Sequence, residues 1–187
     1  MKHIILASNS PRRRELLAGL NLDFEVRVLP GIPENYPRSL PASEVAGFIA
    51  REKADAYRET IGQNDLVVTA DTVVVVGNEI LGKPKDGEDP RRMLRLISGR
   101  THQVVTGVCL LTADKERCFS VTTDVTFKQL SEEEVTYYIE NYKPFDKAGS
   151  YGIQEWIGYV GVTSISGSYF NVMGLPVQRV WEEIKKL

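Results

Sequence analysis

Three consecutive arginines, Arg12-Arg13-Arg14, follow Ser8-Asn9-Ser10-Pro11. Serine suits a helix N-cap, and proline suits the first helical position, where its missing N–H costs nothing. Cations at that end oppose the helix macrodipole by roughly 0.3–1 kcal/mol each. A bound anion reverses the sign, because helix-start N–H groups, the hydroxyls of Ser8 and Ser10 and the guanidinium forks form a phosphate cradle. The competing reading is a solvated basic turn. Ser8 and Ser10 read as phosphate donors or caps rather than as nucleophiles.

Two lysines extend the theme. Lys53 falls between Ile49 and Tyr57 on the apolar stripe of a helical pattern, where a lysine either snorkels at the stripe's edge or reaches into a polar cleft. Lys83, in Gly82-Lys83-Pro84-Lys85, sits at a strand end. Singly each reads as a surface charge; converging on one polyanion they would be a site. Asp71 interrupts the apolar run Leu66-Val67-Val68-Thr69-Ala70-Asp71-Thr72-Val73-Val74, and a charge there is expensive to bury unless paired or bound to metal. An exposed strand-end aspartate is the alternative. Glu34, in the loop Gly31-Ile32-Pro33-Glu34-Asn35, is a weaker second oxygen ligand. Two carboxylates and substrate phosphates are what Mg²⁺ ordinarily takes, with water completing the shell.

Other chemistries lack their residues. Neither GxxxxGK[ST] nor GxGxxG occurs, and the two histidines, His3 and His102, lie in no zinc pattern. No GxSxG elbow supports a serine nucleophile.

The elements that must carry these residues follow from periodicity. His3 to Ala7 reads as a buried strand, and Ser10-Pro11 opens a helix with Leu16, Leu17 and Leu20 on its apolar face. Phe24 to Leu29 reads as a second strand, before a loop punctuated by Pro30, Pro33, Pro37 and Pro41. Ser43 to about Glu59 is the longest helical pattern; Leu66–Ala70 and Thr72–Val76 read as strands, with a Gly77-Asn78 turn into Glu79–Leu81. A helix is expected from Asp89-Pro90 to Ile97, then paired long strands at Gln103–Leu111 and Phe119–Phe127. Ser131-Glu132-Glu133-Glu134 is a capping box, Gly149 to Gly167 holds one or two short strands, and a last helix buries Val177, Val180, Trp181 and Ile184. This mix predicts an α/β fold with a mixed sheet. The proline loop could divide two lobes.

Composition bounds the function. The chain has 187 residues, 42% of them hydrophobic, and 23 Lys+Arg against 25 Asp+Glu leave a net charge of −2. That is enough to bury one core and too little positive charge for a nucleic-acid polymer partner. No apolar run approaches the ~20 residues that span a bilayer, and the residues before Ser8 are too few for a signal core. A membrane is thus not expected as a partner, and the cytoplasm is the expected compartment. Cys109 and Cys118 flank Asp114-Lys115-Glu116 and can face each other across a hairpin; reduced, buried thiols are the expectation, a disulfide the minority one.

With these residues in order, the chain resembles the Maf family of nucleoside triphosphate pyrophosphatases. The matching segments are Leu6-Ala7-Ser8-Asn9-Ser10-Pro11-Arg12-Arg13-Arg14-Glu15-Leu16-Leu17, Arg51-Glu52-Lys53-Ala54, Ala70-Asp71-Thr72-Val73-Val74 and Gly82-Lys83-Pro84. Further on come Ser98-Gly99-Arg100-Thr101-His102 with Val105-Thr106-Gly107-Val108, and Asp146-Lys147-Ala148-Gly149 with Tyr151-Gly152-Ile153-Gln154. Six motifs in series span nearly the whole chain, whereas one alone would be weak.

The resemblance implies one Maf-like domain over residues 1–187. It implies an elongated, two-lobed α/β fold similar to that of the inosine-triphosphate pyrophosphatase group, with a central cleft, and a possible homodimer. It implies cleavage of a pyrimidine nucleoside triphosphate between the α- and β-phosphates, with a divalent cation, Mg²⁺ or Mn²⁺, as cofactor. By motif position Ser8, Arg13, Lys53 and Lys83 hold phosphates, Asp71 is the general base, and Asp71 with Glu34 would ligate the metal. Arg12, Thr72 and Gln154 match the branch that cleaves dTTP and UTP. The Gln154 amide can pair with the N3–H and a carbonyl of thymine or uracil. Phe145 stands where small or polar residues are commoner in the family. The rival reading is a non-catalytic nucleotide-binding regulator of cell division or septum formation.

Overall fold

The structure is a computed structural model, and it describes residues 2–187. In chain order the elements are β1 (His3–Leu6), α1 (Pro11–Ala18), β2 (Phe24–Val26), α2 (Ala42–Asp55), β3 (Asp65–Val76), β4 (Glu79–Leu81) and α3 (Asp89–Ile97). They continue with β5 (Thr101–Leu111), β6 (Glu116–Phe127), α4 (Glu132–Tyr142), a 3₁₀ turn (Ala148–Ser150), α5 (Trp156–Gly161), β7 (Val162–Ser166), α6 (Tyr169–Met173) and α7 (Val177–Ile184).

The sheet is mixed, in the order β2-β1-β3-β5-β6-β7, with β4 attached to β3. β1 pairs parallel on both sides, Ile4 opposite Phe24 of β2 and Leu66 of β3, which is why Ile4, Ile5 and Leu6 are buried without alternation. β4 returns antiparallel along β3, Val75 opposite Ile80, and the intervening turn sets Gly77 at φ 58°, a conformation glycine adopts without strain. β7 pairs antiparallel with β6.

By internal contact the chain forms two compact units. The first takes the residues up to Asp71, Thr106–Val121 and Gly174–Leu187; the second takes Thr72–Val105 and Thr122–Met173. In the first unit Ile5, Ala54, Tyr57, Val67, Cys109 and Leu111 form one apolar cluster under α2. In the second unit the cluster includes Val74, Leu81, Leu94, Ile97, Val125, Tyr138 and Ile157. The α/β class and mixed sheet are as expected, but the proline loop marks no boundary between units: it lies wholly inside the first.

Several expectations are corrected. β3 runs unbroken through Asp71, because a strand tolerates a charge whose counter-ion is at hand. β2 stops at Val26, and α2 ends at Asp55. The Gly149–Gly167 stretch holds one short strand, β7, as expected, but a 3₁₀ turn and a helix precede it. In α7 Trp181 is 37% exposed, while Val180 and the charged Glu183 are the buried positions. Glu183 is buried because three cations surround it: Lys186 at 2.9 Å, Arg117 at 2.9 Å and Arg179 at 2.8 Å, and the hydrogen bonds from Lys186 and Arg117 push its carboxyl down to about 2. Cys109 and Cys118 are bonded to each other rather than reduced, and Cys118 is exposed. Their pairing across β5 and β6, with Cα atoms 4.1 Å apart, brings the two sulfurs together.

Candidate active site

The site builds on β3. Leu66 to Ala70 are buried, and Asp71 continues the strand with its side chain 13% exposed. On the facing helix α2, Val45, Ala46, Ile49, Ala50 and Ala54 make the buried stripe, so Lys53, one turn after Ile49, emerges at its edge. Two features hold that helix against the sheet. Thr69 Oγ1 donates to the Ala50 carbonyl at 2.6 Å, and the absent side chain of Gly107 on β5 leaves room for the backbone of Ala46 and Gly47. Lys53 Nζ thereby lies 2.9 Å from Asp71 Oδ1. The same ammonium lies 2.7 Å from Glu34 Oε1 of the proline loop. Tyr57 fixes the start of that loop: its hydroxyl donates to Arg27 O (2.8 Å) and accepts from Leu29 N (3.0 Å).

α1 supplies the second cation. Ser10 is the N-cap, its hydroxyl accepting from Arg13 N, and Pro11 occupies the first turn. The Ser8 hydroxyl accepts from Ser10 N at 3.2 Å, so Ser10 caps the helix and Ser8 braces the capping residue. Arg13 is anchored by backbone: Nε donates to Gly174 O at 2.8 Å and NH1 to Ala70 O at 3.0 Å. Arg12, next along the helix, is half-buried.

The electrostatics are strained toward neutrality. Burial pushes the Asp71 carboxyl above the usual aspartate range, against the downward pull of Lys53 and Arg13. Burial likewise pulls Arg13 down, opposed chiefly by Asp71. Two carboxylates converging on one ammonium are hard oxygen donors that fit a Mg²⁺ or Mn²⁺ ion. A buried carboxylate of raised pKa beside cations suits general-base work on a polyanion.

The remaining sequence-derived residues belong to the second unit. Thr72 follows Asp71 on β3 and, by strand alternation, faces the opposite side. Lys83 is exposed just after β4, beside Gly82, whose carbonyl accepts from Gly149 N at 3.1 Å. Gln154 presents a buried Oε1 with no hydrogen-bond partner. The structure thus brings Arg13, Glu34, Lys53 and Asp71 together in the first unit. Sequence reasoning missed the residues around Gln154: Tyr138, Lys147 and Glu155. Lys147 lies within a recognised motif, but nothing in the pattern pairs it with Glu155 at 3.0 Å.

Among solved structures, the fold matches that of HAM1 proteins. One from Coxiella burnetii superposes with a TM-score of 0.54 over 100% of both chains at 14% identity. The Staphylococcus aureus Ham1 protein gives 0.51, covering 67% of this chain and 72% of that one, at 17% identity. The fold class is therefore that of the HAM1 proteins. Within it, the chain belongs to the Maf-like protein family, whose profile matches residues 3–187. A dTTP/UTP pyrophosphatase of Phocaeicola vulgatus is 61% identical over 98% of this chain and 95% of its own length. One of Bacteroides fragilis is 56% identical over the same shares.

Proposed function

We propose that this chain hydrolyses dTTP and UTP to the nucleoside monophosphate and pyrophosphate. The observation that carries the reading is the half-buried Asp71 carboxylate held at 2.9 Å by Lys53, with Arg13 anchored to the carbonyl of the preceding residue. The names of the 61%- and 56%-identical relatives support the substrate pair.

In this mechanism Asp71 takes the proton of the water that attacks the α-phosphorus. Its raised pKa brings it closer to the working pH of a base than an ordinary aspartate. Arg13, Lys53 and Lys83 bind the phosphates and neutralise charge on the departing pyrophosphate, with the Ser8 hydroxyl as a further donor. Asp71 and Glu34 would hold Mg²⁺ or Mn²⁺, which when bound stabilises phosphate charge as a Lewis acid. Arg12, Thr72 and Gln154 read the base; the partnerless Gln154 Oε1 is an acceptor that the N3–H of thymine or uracil satisfies. Residues 1–187 act as one functional domain, in the cytoplasm, where the triphosphate pools are. No described helix is long and apolar enough to cross a membrane.

The test is incubation of dTTP and UTP with Mg²⁺ or Mn²⁺ and chromatographic identification of the products. Monophosphate and pyrophosphate are expected. Orthophosphate would indicate a phosphatase, and binding without turnover would restore the regulator reading.

A further inference from the structure

Gly152 to Glu155 form a tight turn, closed by the Glu155 N–H donating to the Gly152 carbonyl at 3.0 Å, with Gln154 at its third position. Both ends of the turn are gripped by one side chain. Tyr138, fully buried on α4, accepts the Gly152 N–H at 2.9 Å and donates its hydroxyl proton to Glu155 Oε2. The other Glu155 oxygen lies 3.0 Å from Lys147 Nζ, whose side chain is 9% exposed. Burial and the Glu155 carboxylate both push the Tyr138 phenol upward, so it remains a donor. The turn is packed tightly as well. A methyl on Gly152 would stand 3.0 Å from Lys147 Cε, 3.1 Å from Glu155 Cδ and 3.2 Å from Gln154 Nε2.

We propose that the Tyr138–Glu155 clamp is a specificity device, holding the turn that carries the Gln154 amide so that thymine and uracil are favoured over cytosine. Tyr138 and Glu155 are positioning residues, and the inference rests on the reading of Gln154 as the residue that meets the base. A primary amide carries a donor and an acceptor on one carbon, and turning it over exchanges them. An amide on a loose turn therefore pairs with either pyrimidine edge. Thymine and uracil offer N3–H and a carbonyl, whereas cytosine offers a bare N3 and an amino group. Only an amide held in one place and one sense distinguishes them, because the wrong base then leaves buried polar atoms unpaired. Here Gln154 Oε1 is a buried acceptor with no hydrogen-bond partner.

The experiment measures kcat and KM for dTTP and dCTP with the full chain and metal. The variants are Gln154→Ala, Tyr138→Phe, Glu155→Gln and the double variant Gln154→Ala/Glu155→Gln, each with a thermal melt. Glu155→Gln keeps the shape and an acceptor for Tyr138, so it carries the test if Tyr138→Phe folds poorly. The expected result is a fall of about tenfold in the dTTP/dCTP ratio of kcat/KM for the clamp variants, through the dTTP KM, with no further fall once Gln154 is Ala. An unchanged ratio in Glu155→Gln alongside a collapsed one in Gln154→Ala overturns the clamp and leaves the Gln154 reading standing. An unchanged ratio in Gln154→Ala refutes that reading and the clamp with it. Equal falls on both backgrounds assign Glu155 a role independent of Gln154 and also overturn the proposal.

Discussion

Lys53 Nζ and Asp71 Oδ1 stand 2.9 Å apart, with side chains 14% and 13% exposed, and Glu34 Oε1 lies 2.7 Å from the same ammonium. The Asp71 carboxylate is therefore held by an ammonium from α2, which a carboxylate of the proline loop shares. Its chemistry depends on how α2 is seated.

Asp71→Asn removes the carboxylate proposed as the base while keeping its shape. Turnover of dTTP should fall by about 10²–10⁴-fold, read as pyrophosphate release. The fold should persist, and the melting curves should show a particular trend. Because burial raises the Asp71 pKa above 3.8, the folded chain holds that proton more tightly than the unfolded one. Stability from this group is full below the unfolded value and is lost as pH rises through the folded one. From pH 4 to 7 the stability of the Asn variant relative to the natural chain should rise; a relative fall would contradict the raised Asp71 pKa.

Gly107→Ala tests the seating of α2. A methyl there overlaps the backbone of Ala46 and Gly47, which no rotamer change relieves. A loss of about 3 kcal/mol or more is expected in chemical denaturation, with activity falling because Lys53 rides on that helix. Wild-type stability would refute the close approach.

His102 predicts an acid limit on stability. It is buried between Phe127 and Tyr151, with Nε2 2.6 Å from the Tyr151 hydroxyl and Nδ1 lacking a partner, and burial lowers its pKa from 6.5 to about 4. The unfolded chain takes up this proton first, so stability falls as pH drops from 6.5 towards 4, by about 3 kcal/mol. Denaturation curves across that range should lose this slope in His102→Phe.

The Cys109–Cys118 bond closes a short loop, the two residues being 9 apart. Opening it with dithiothreitol, or replacing Cys118 by Ser, should cost about 2–3 kcal/mol in urea denaturation. Identical midpoints with and without reductant would show that the bond adds nothing to stability.

Much of this was legible in residue types. Ser10-Pro11 gave the start of α1, Ser131 and Glu134 the capping box, and Gly77-Asn78 the hairpin, because each is a local signal satisfied by local hydrogen bonds. Lys53 and Asp71 were suspect because charges interrupt apolar patterns. What the pattern did not carry was partnership. Glu183 looks like a surface residue of an amphipathic helix until Arg117, 66 positions earlier, is seen beside it. The Tyr138 hydroxyl is silent in a periodicity that registers only its ring. Asp71 looked like a strand break since nothing local reveals the ammonium that neutralises it.

The unit that holds Asp71 is assembled from both ends of the chain, and Arg13 is fastened to the carbonyl of Gly174. A ribosome delivers residues in one direction, so that unit cannot be completed until α7 has emerged. The nascent polypeptide must carry Arg13 for 161 residues before the carbonyl that fastens it is made, and a message cut short before Gly174 would leave that unit incomplete.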